Sequence, residues 1–337
     1  MGEFIEQEAS VMAKSVAVGL DEVTGYFAQL EDPRSSVNRQ HPLESVVVIA
    51  VLAILAGASG PTTIAKWAAL KADLLMQCLD LPAGVPGKDV FRRVLAGLRP
   101  EAFQAGFSAW LRALKAAAWE TSEVNQPIMA IDGKTVRRSH DRRHGLGALH
   151  AVSVWASEWG LSLGQVACAE KSNEIAAIPE LLNLVDISGA IITIDAMGTQ
   201  KAIAAQIVEN KADFVLALKA NQETLYDAVI QYIDTQSEND FNNVTVRSHT
   251  THDKGHGREE TRTYIQLPAP ADLPGLSHWK GLRTIGVVVS CCLRNGAETV
   301  EARYYISSLK LGVKQFARAV RREHRKHLPL EPGRHVS

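Results

Sequence analysis

Two aspartates stand where a chain could hold a divalent cation. Asp132 follows the apolar run Pro127 to Ile131 and precedes Gly133, while Asp195 follows Ile191 to Ile194 and precedes Ala196, Met197 and Gly198. Each is a carboxylate at the tip of a predicted buried strand, before a turn of small residues that lets backbone or ligand come close. Two carboxylates brought together repel unless one is protonated or a cation bridges them. Mg2+ accepts one or two of them and keeps positions for water and phosphate oxygens. The competing reading is that each caps a turn or the following helix, a common fate for aspartate.

Behind Asp132 come Lys134, Arg137, Arg138, Arg142 and Arg143. An acid beside a cationic loop suits a phosphodiester, with metal for the reacting phosphate and guanidinium groups for its neighbours. A merely solvated loop is the alternative. Lys219, with Asn221, sits at the end of a further strand on the same side. His256, Arg258, Glu260 and Arg262 would alternate faces if their segment is extended, or else decorate an exposed hairpin. Trp155 and Trp159 could stack on bases or pack against a helix.

Other chemistries lack their residues. No GxxxxGK[ST] or GxGxxG segment occurs, which speaks against ATP or NAD, and there is no GxSxG elbow for a serine hydrolase. Cys78, Cys168, Cys291 and Cys292 form no CxxC pair and no metal spacing with histidine, so reduced and mostly buried thiols are expected. The 337 residues carry 36 Lys plus Arg against 37 Asp plus Glu, with 46% hydrophobic and 22% charged residues. That balance excludes a disordered tail, a collagen-like repeat and a coiled coil. The longest apolar run, Ser45 to Ser59, is about 15 residues, short of the roughly 20 that cross a bilayer, so it is expected as a buried helix. The acidic start MGEFIEQEAS is unlike a secretory signal, and a cytoplasmic protein with no membrane partner is expected.

The elements that position these residues fall into two parts. Residues 1–125 are expected to be helical, four or five short helices punctuated at Asp32-Pro33, His41-Pro42, Gly60-Pro61, Pro82 to Gly87 and Arg99-Pro100. At Gln126 the texture changes, which marks a domain boundary and a second domain over 126–337. It opens with the strand before Asp132 and a β-meander, Leu149 to Val154 and Leu161 to Ala169, around Trp159-Gly160. Then come helix Asn173 to Val185, strand Ala190 to Ile194, helix Thr199 to Asn210, strand Phe214 to Leu218 and helix Gln222 to Thr235. This alternation predicts an α/β fold with parallel strands and helices on the faces of the sheet, whose ligands collect beyond the carboxyl ends of the strands. Residues 244–309 form a β-rich insertion: VTVRSHTTH, TRTYIQL, LRTIGVVVSCCLR and Ala302 to Ser307, with a tight turn at Arg294-Asn295-Gly296. A final helix starts near Lys314.

Several stretches in this order are similar to one family: AIDGKTVRRS, LHAVSVWASEWGLSLGQ, KSNEIAAIPELL, ITIDAMGTQ, FVLALKANQ, DKGHGREETRTY and YYISSL. They resemble the DDE insertion-sequence transposases, in the branch that contains the bacterial H-repeat-associated proteins. The leading helices, with DPRSSVNRQHPLESVVVIAVLAILAGASG, resemble that branch's N-terminal associated domain. The resemblance implies an RNase H-like mixed sheet flanked by helices. It also implies DNA transposition by two-metal phosphoryl transfer, with Asp132 and Asp195 holding two Mg2+ (or Mn2+) ions about 3.5–4 Å apart. Double-stranded DNA at the element termini would be the partner of a homo-oligomer. Lys134, Arg137, Arg138, Arg142, Arg143, Lys219, His256, Arg258 and Arg262 would lie near that DNA.

One departure matters. The family's third acid is a Glu on the helix after the β-insertion, in a segment resembling HWxIENxLHWxLDV. Here the pattern holds through YYISSL and FARAV and then gives way to RREHRKHLPLEPGRHVS, in which Pro329 and Pro332 would stop a helix. Permitted codons for Glu323 to Val336, read from the second base, spell Ser-Ile-Glu-Asn-Thr-Cys-His-Trp-Ser-Leu-Asp-Val, which points to a frameshift just before Glu323. Counting from Val320 puts the family's acid at position 327. Glu323 is one helical turn earlier, about 5.4 Å away, and is only a weak substitute. The expectation is a transposase by descent with impaired strand cleavage; the alternative is a non-catalytic DNA-binding remnant that occupies element ends.

Overall fold

The computed structural model describes residues 20–37, 39–119, 126–135, 150–157, 161–168, 174–255, 258–294 and 297–324. The chain divides into two units, Met1–Val124 and Asn125–Ser337. The described part of the first is helical: α1 (Leu20–Gly25), α2 (Leu43–Leu55), α3 (Pro61–Leu70), α4 (Ala72–Cys78), α5 (Lys88–Gly97) and α6 (Pro100–Trp119). The α2 sequence LESVVVIAVLAIL has no polar face, and such a helix must be enclosed. Accordingly Val46, Val48, Ile49 and Ala53 are buried among Phe27, Ile64, Leu75, Phe91 and Trp110. Among the described residues six helices occur rather than four or five. The additional break is at Lys71 (φ −112°, ψ 17°), between α3 and α4, where no glycine or proline announces it.

The second unit contains β1 (Ile128–Thr135), β2 (His150–Ala156), β3 (Leu161–Cys168), α7 (Glu174–Leu184), β4 (Ile191–Ile194), α8 (Lys201–Glu209), β5 (Asp213–Leu218) and α9 (Glu223–Glu238). The strands β6 (Arg247–Gly255), β7 (Arg258–Pro268), β8 (Thr284–Arg294) and β9 (Ala297–Ser307) follow, then α10 (Val313–His324). The nine strands form one mixed sheet in the order β3-β2-β1-β4-β5-β9-β8-β7-β6. β1, β4 and β5 are parallel neighbours. The four residues IITI of β4 are all buried, as a central parallel strand covered on both faces requires. The rest of the sheet is antiparallel, so the β-insertion joins the same sheet by pairing β9 with β5.

One face of the sheet carries α10. Val313, Phe316, Ala317 and Val320 recur at helical spacing and pack on Ile128, Ile191, Val215, Tyr264, Val288 and Tyr305. Gly286 leaves room for this docking, because a Cβ there would lie 2.6 Å from Phe316 Cζ. β6 starts at Arg247, three residues after the expected Val244. The chain is still leaving a turn there, with Asp240 (φ 51°) and Phe241 (φ 56°) in the left-handed region and the Val244 N–H donating to Phe241 O. Arg294 pairs with Ala297, while Asn295 and Gly296 of the expected turn, and Trp159-Gly160 of the meander, lie outside the described residues. Among the described residues no helix is long and apolar enough to cross a membrane.

Candidate functional site

The register of two strands brings the aspartates together. Ile131 pairs with Ile194 across the parallel β1 and β4, so Asp132 and Asp195 occupy the next rung side by side, on backbones about 4.8 Å apart. Residues two apart share a face. Ile128, Ala130 and Asp132 therefore project with Ile191, Thr193 and Asp195, on the side covered by α10. Both carboxylates line one cavity of about 570 Å³ at the carboxyl ends of the parallel strands, together with Lys219, Tyr226, Glu301, Arg303, Tyr304 and Tyr305.

Asp195 is the exposed member, and the turn behind it is built tightly. Gly198 N–H donates to Asp195 Oδ1 at 3.2 Å, and the Thr199 hydroxyl lies 2.7 Å from Ala217 O and 3.1 Å from Asp195 O, tying the β4 tip to β5. Gln222 Nε2 donates to Thr199 O at 3.1 Å. Gly198 is required here because a Cβ would run into Ile194 and would come within 2.8 Å of Ile178 Cδ1.

Asp132 is the more enclosed member, its side chain 20% exposed. Its Oδ2 is buried and accepts no hydrogen bond. The Lys134 ammonium stands 3.4 Å from that oxygen, close enough for an ion pair but without hydrogen-bond alignment. A buried carboxylate oxygen without a donor is a costly arrangement unless a cation completes it. This oxygen and the exposed Asp195 carboxylate on the same rung suit Mg2+, which needs few protein ligands. Among the described residues no group of three or more His, Cys, Asp and Glu side chains is placed to hold a metal.

On the reverse face of β1, the Glu174 carboxylate of α7 fills the space beside Gly133. A Cβ at that glycine would lie 2.6 and 2.7 Å from the two carboxylate oxygens. Glu174 is hydrogen-bonded to His150 Nε2, and both residues are buried. The sequence analysis missed this pair, although KSNE sits where a helix begins; its partner is a strand away and shares no local pattern with it.

The remaining expected residues scatter. Lys219 follows β5 directly and lines the cavity with the aspartates. Arg258 and Arg262 lie on β7 and are not among the residues lining that cavity. They do not alternate faces: residues two apart in a strand share one, and both clamp Glu260, Arg258 Nη2 to Oε2 at 2.5 Å and Arg262 Nε to Oε1 at 2.8 Å. Burial disfavours the Arg262 cation, but the Glu260 charge and hydrogen bond outweigh it and hold the guanidinium above its ordinary range. Glu323 belongs to the last turn of α10, on the helix covering the aspartate face. Two residues before it, Arg321 reaches Asp253 of β6. Arg137, Arg138, Arg142, Arg143, His256, Trp159 and position 327 lie outside the described residues. Trp155 is in β2, paired with Ala130.

The cavity also contains residues the sequence analysis passed over. Leu218 pairs with Tyr304, so Arg303 stands level with Lys219 and Glu301 lies one step further out on the same face. Tyr304 meets Tyr226 of α9 edge to face, with ring centroids 5.7 Å apart. Burial, then the charge of Asp234 and Tyr226, holds its phenol above the ordinary range. The i, i+2 spacing of Glu301 and Arg303 within a strand was the available signal.

The layout defines a mixed α/β domain with an acidic site at the tips of its parallel strands. The chain belongs to the transposase DDE domain family, which matches residues 124–322, and a DDE-transposase-associated family matches residues 24–111. It is 36% identical over 323 residues to "Putative transposase YncI" of Escherichia coli O157:H7, covering 93% of this chain and 80% of that protein. It is 34% identical over 307 residues to "H repeat-associated putative transposase YhhI" of Escherichia coli K12, covering 90% and 79%. An uncharacterized protein in the dhlA 3′ region of Xanthobacter autotrophicus is 37% identical over 300 residues, covering 89% of this chain and 98% of that protein.

Proposed function

We propose that this chain is an insertion-sequence transposase by descent, acting in the cytoplasm on double-stranded DNA at element ends, in which Asp132 and Asp195 jointly bind Mg2+ or Mn2+. The reading assigns 1–125 to the associated helical domain and 126–337 to the catalytic domain, with its β-insertion at about 244–309, in a homo-oligomer. The observation that carries it is the pairing of Ile131 with Ile194, from which two acids come to share one rung and one cavity.

When bound, the metal supplies Lewis acidity to the scissile phosphate and to the attacking water or 3′-hydroxyl. The protein's part is geometry and charge. Asp132 offers a buried oxygen already stripped of hydrogen-bond donors, so little reorganisation precedes metal binding. Lys134 balances that charge beforehand, its ammonium 3.4 Å from Asp132 Oδ2. The Gly198 N–H orients Asp195, and Lys219 neutralises a phosphate on the cavity wall. Lys134, Arg137, Arg138, Arg142, Arg143, Lys219, His256, Arg258 and Arg262 supply salt-dependent affinity for the backbone.

Strand cleavage is proposed to be impaired, because the residues after Val320 depart from the third acid's motif and Glu323 is a turn too early to replace it. The same loss of the third acid's motif after Val320 favours, as a second reading, a DNA-binding protein that occupies element ends without cutting them. The test is cleavage of element-end DNA in Mg2+ or Mn2+, with Asp132→Ala and Asp195→Ala as controls. Salt-sensitive DNA binding with cleavage near background supports impairment. Robust cleavage lost in both controls would overturn it, and sequencing the gene would reveal whether the shifted frame encodes the motif.

A further inference from the structure

Beside Lys219, on the neighbouring strand, the cavity wall holds an ion pair that the chemistry above does not use. Arg303 Nε lies 2.8 Å from Glu301 Oε1 and Arg303 Nη2 lies 3.2 Å from Glu301 Oε2, two parallel contacts between a guanidinium fork and a carboxylate. Both side chains line the cavity that contains Asp132 and Asp195. They are on the aspartate face, since Leu218 pairs with Tyr304 and Ala217 with Tyr305, which sets Arg303 and Glu301 in phase with Ala217 and Asp195. At 43% and 61% exposure, the pair is open to exchange with solvent and ligand.

A phosphodiester presents two oxygens to a guanidinium with the same spacing as a carboxylate. We propose that Arg303 is a phosphate-contact residue for a DNA strand entering this cavity and that Glu301 is its resident stand-in, displaced when a backbone phosphate takes the fork. This rests on the DNA-binding reading above. Among the described residues Asp132, Asp195 and Glu301 are the acids that line the cavity, with Lys219 and Arg303 as cations. While Glu301 holds the Arg303 fork, that fork is closed to a phosphate; once Glu301 lets go, it is offered level with Lys219.

The test is fluorescence anisotropy of a labelled 30-base-pair duplex with the full chain over a series of NaCl concentrations, for Arg303→Gln, Glu301→Gln, the double variant and Arg303→Lys. Arg303→Gln is expected to weaken binding and to lower the slope of log affinity against log salt by about 0.9, one phosphate contact. Arg303→Lys keeps that slope but loses the fork, giving an intermediate affinity. Glu301→Gln tightens binding by roughly two- to fivefold where Arg303 is present. In the Arg303→Gln background the same change has no effect, which separates release of the fork from general removal of negative charge. An equal gain in both backgrounds, or an unchanged slope in Arg303→Gln, would overturn the assignment while leaving DNA binding intact. Wild-type chain that shows no salt-dependent binding would overturn the DNA reading itself. Thermal melts checked by circular dichroism confirm that each variant is folded.

Discussion

Gly133→Ala probes the stretch of β1 that bears Asp132 without altering any charge. The added methyl would meet the Glu174 carboxylate at 2.6 and 2.7 Å, inside contact distance, so that buried side chain must shift. Glu174 is 9% and His150 5% exposed. Overpacking of this kind costs about 1–3 kcal/mol. If Glu174 swings aside instead, its buried hydrogen bond to His150 is lost, which costs about 1.5–3 kcal/mol. Against this, replacing glycine by alanine restricts the unfolded chain and returns about 0.4–1 kcal/mol. The clash wins, and the net loss should be roughly 0.5–2.5 kcal/mol in equilibrium urea unfolding, with loss of hydrogen-exchange protection along β1. In a Glu174→Ala background the obstacle is gone, so the same substitution should be neutral or slightly stabilising. A Gly133→Ala cost within about 0.5 kcal/mol of zero, or the same cost in both backgrounds, would refute the packing argument.

Two further substitutions test other parts of the chain. Phe316 of α10 is buried and meets Tyr305 edge to face at 5.7 Å, so Phe316→Ala should lose about 3–5 kcal/mol and selectively expose α10 in hydrogen exchange; uniform protection would argue against its docking role. In the first unit, burial alone would raise the Asp32 carboxyl, but two Arg34 side-chain bonds at 2.9 and 2.7 Å, the Arg34 N–H, and the Arg34 and Arg39 charges hold it below its ordinary 3.8. A depressed folded value contributes stability above the unfolded one and loses it as pH falls through the folded one. Asp32→Asn should thus cost about 1–3 kcal/mol at pH 7 and progressively less below about pH 4, and a difference constant down to pH 2 would contradict the pairing.

What could be read in the sequence was local. The apolar run of α2, the alternation from α7 to α9 and the amphipathic spacing of α10 each follow from side-chain periodicity within one element, and their places emerge close to expectation. Asp132 and Asp195 were legible because each follows an apolar run; Asp195 does end β4, but β1 runs on past Asp132 to Thr135 through its pairing with β2, where a turn was expected. That they share a rung depends on how β1 pairs with β4, which no local pattern records. The same holds for β9, whose pairing with β5 brings Glu301 and Arg303 to the cavity from a hairpin that looked peripheral. The break at Lys71 is a tertiary effect with no breaker residue, and the His150 to Glu174 contact joins a strand to a helix across the sheet's reverse face.

The account stands most directly on whether one cation site needs both aspartates. Mn2+ titrated into the full chain and counted by electron paramagnetic resonance should bind wild-type protein and lose its tight sites in Asp132→Asn and in Asp195→Asn alike, with the fold intact by circular dichroism. Tight Mn2+ binding that survives either substitution would contradict it.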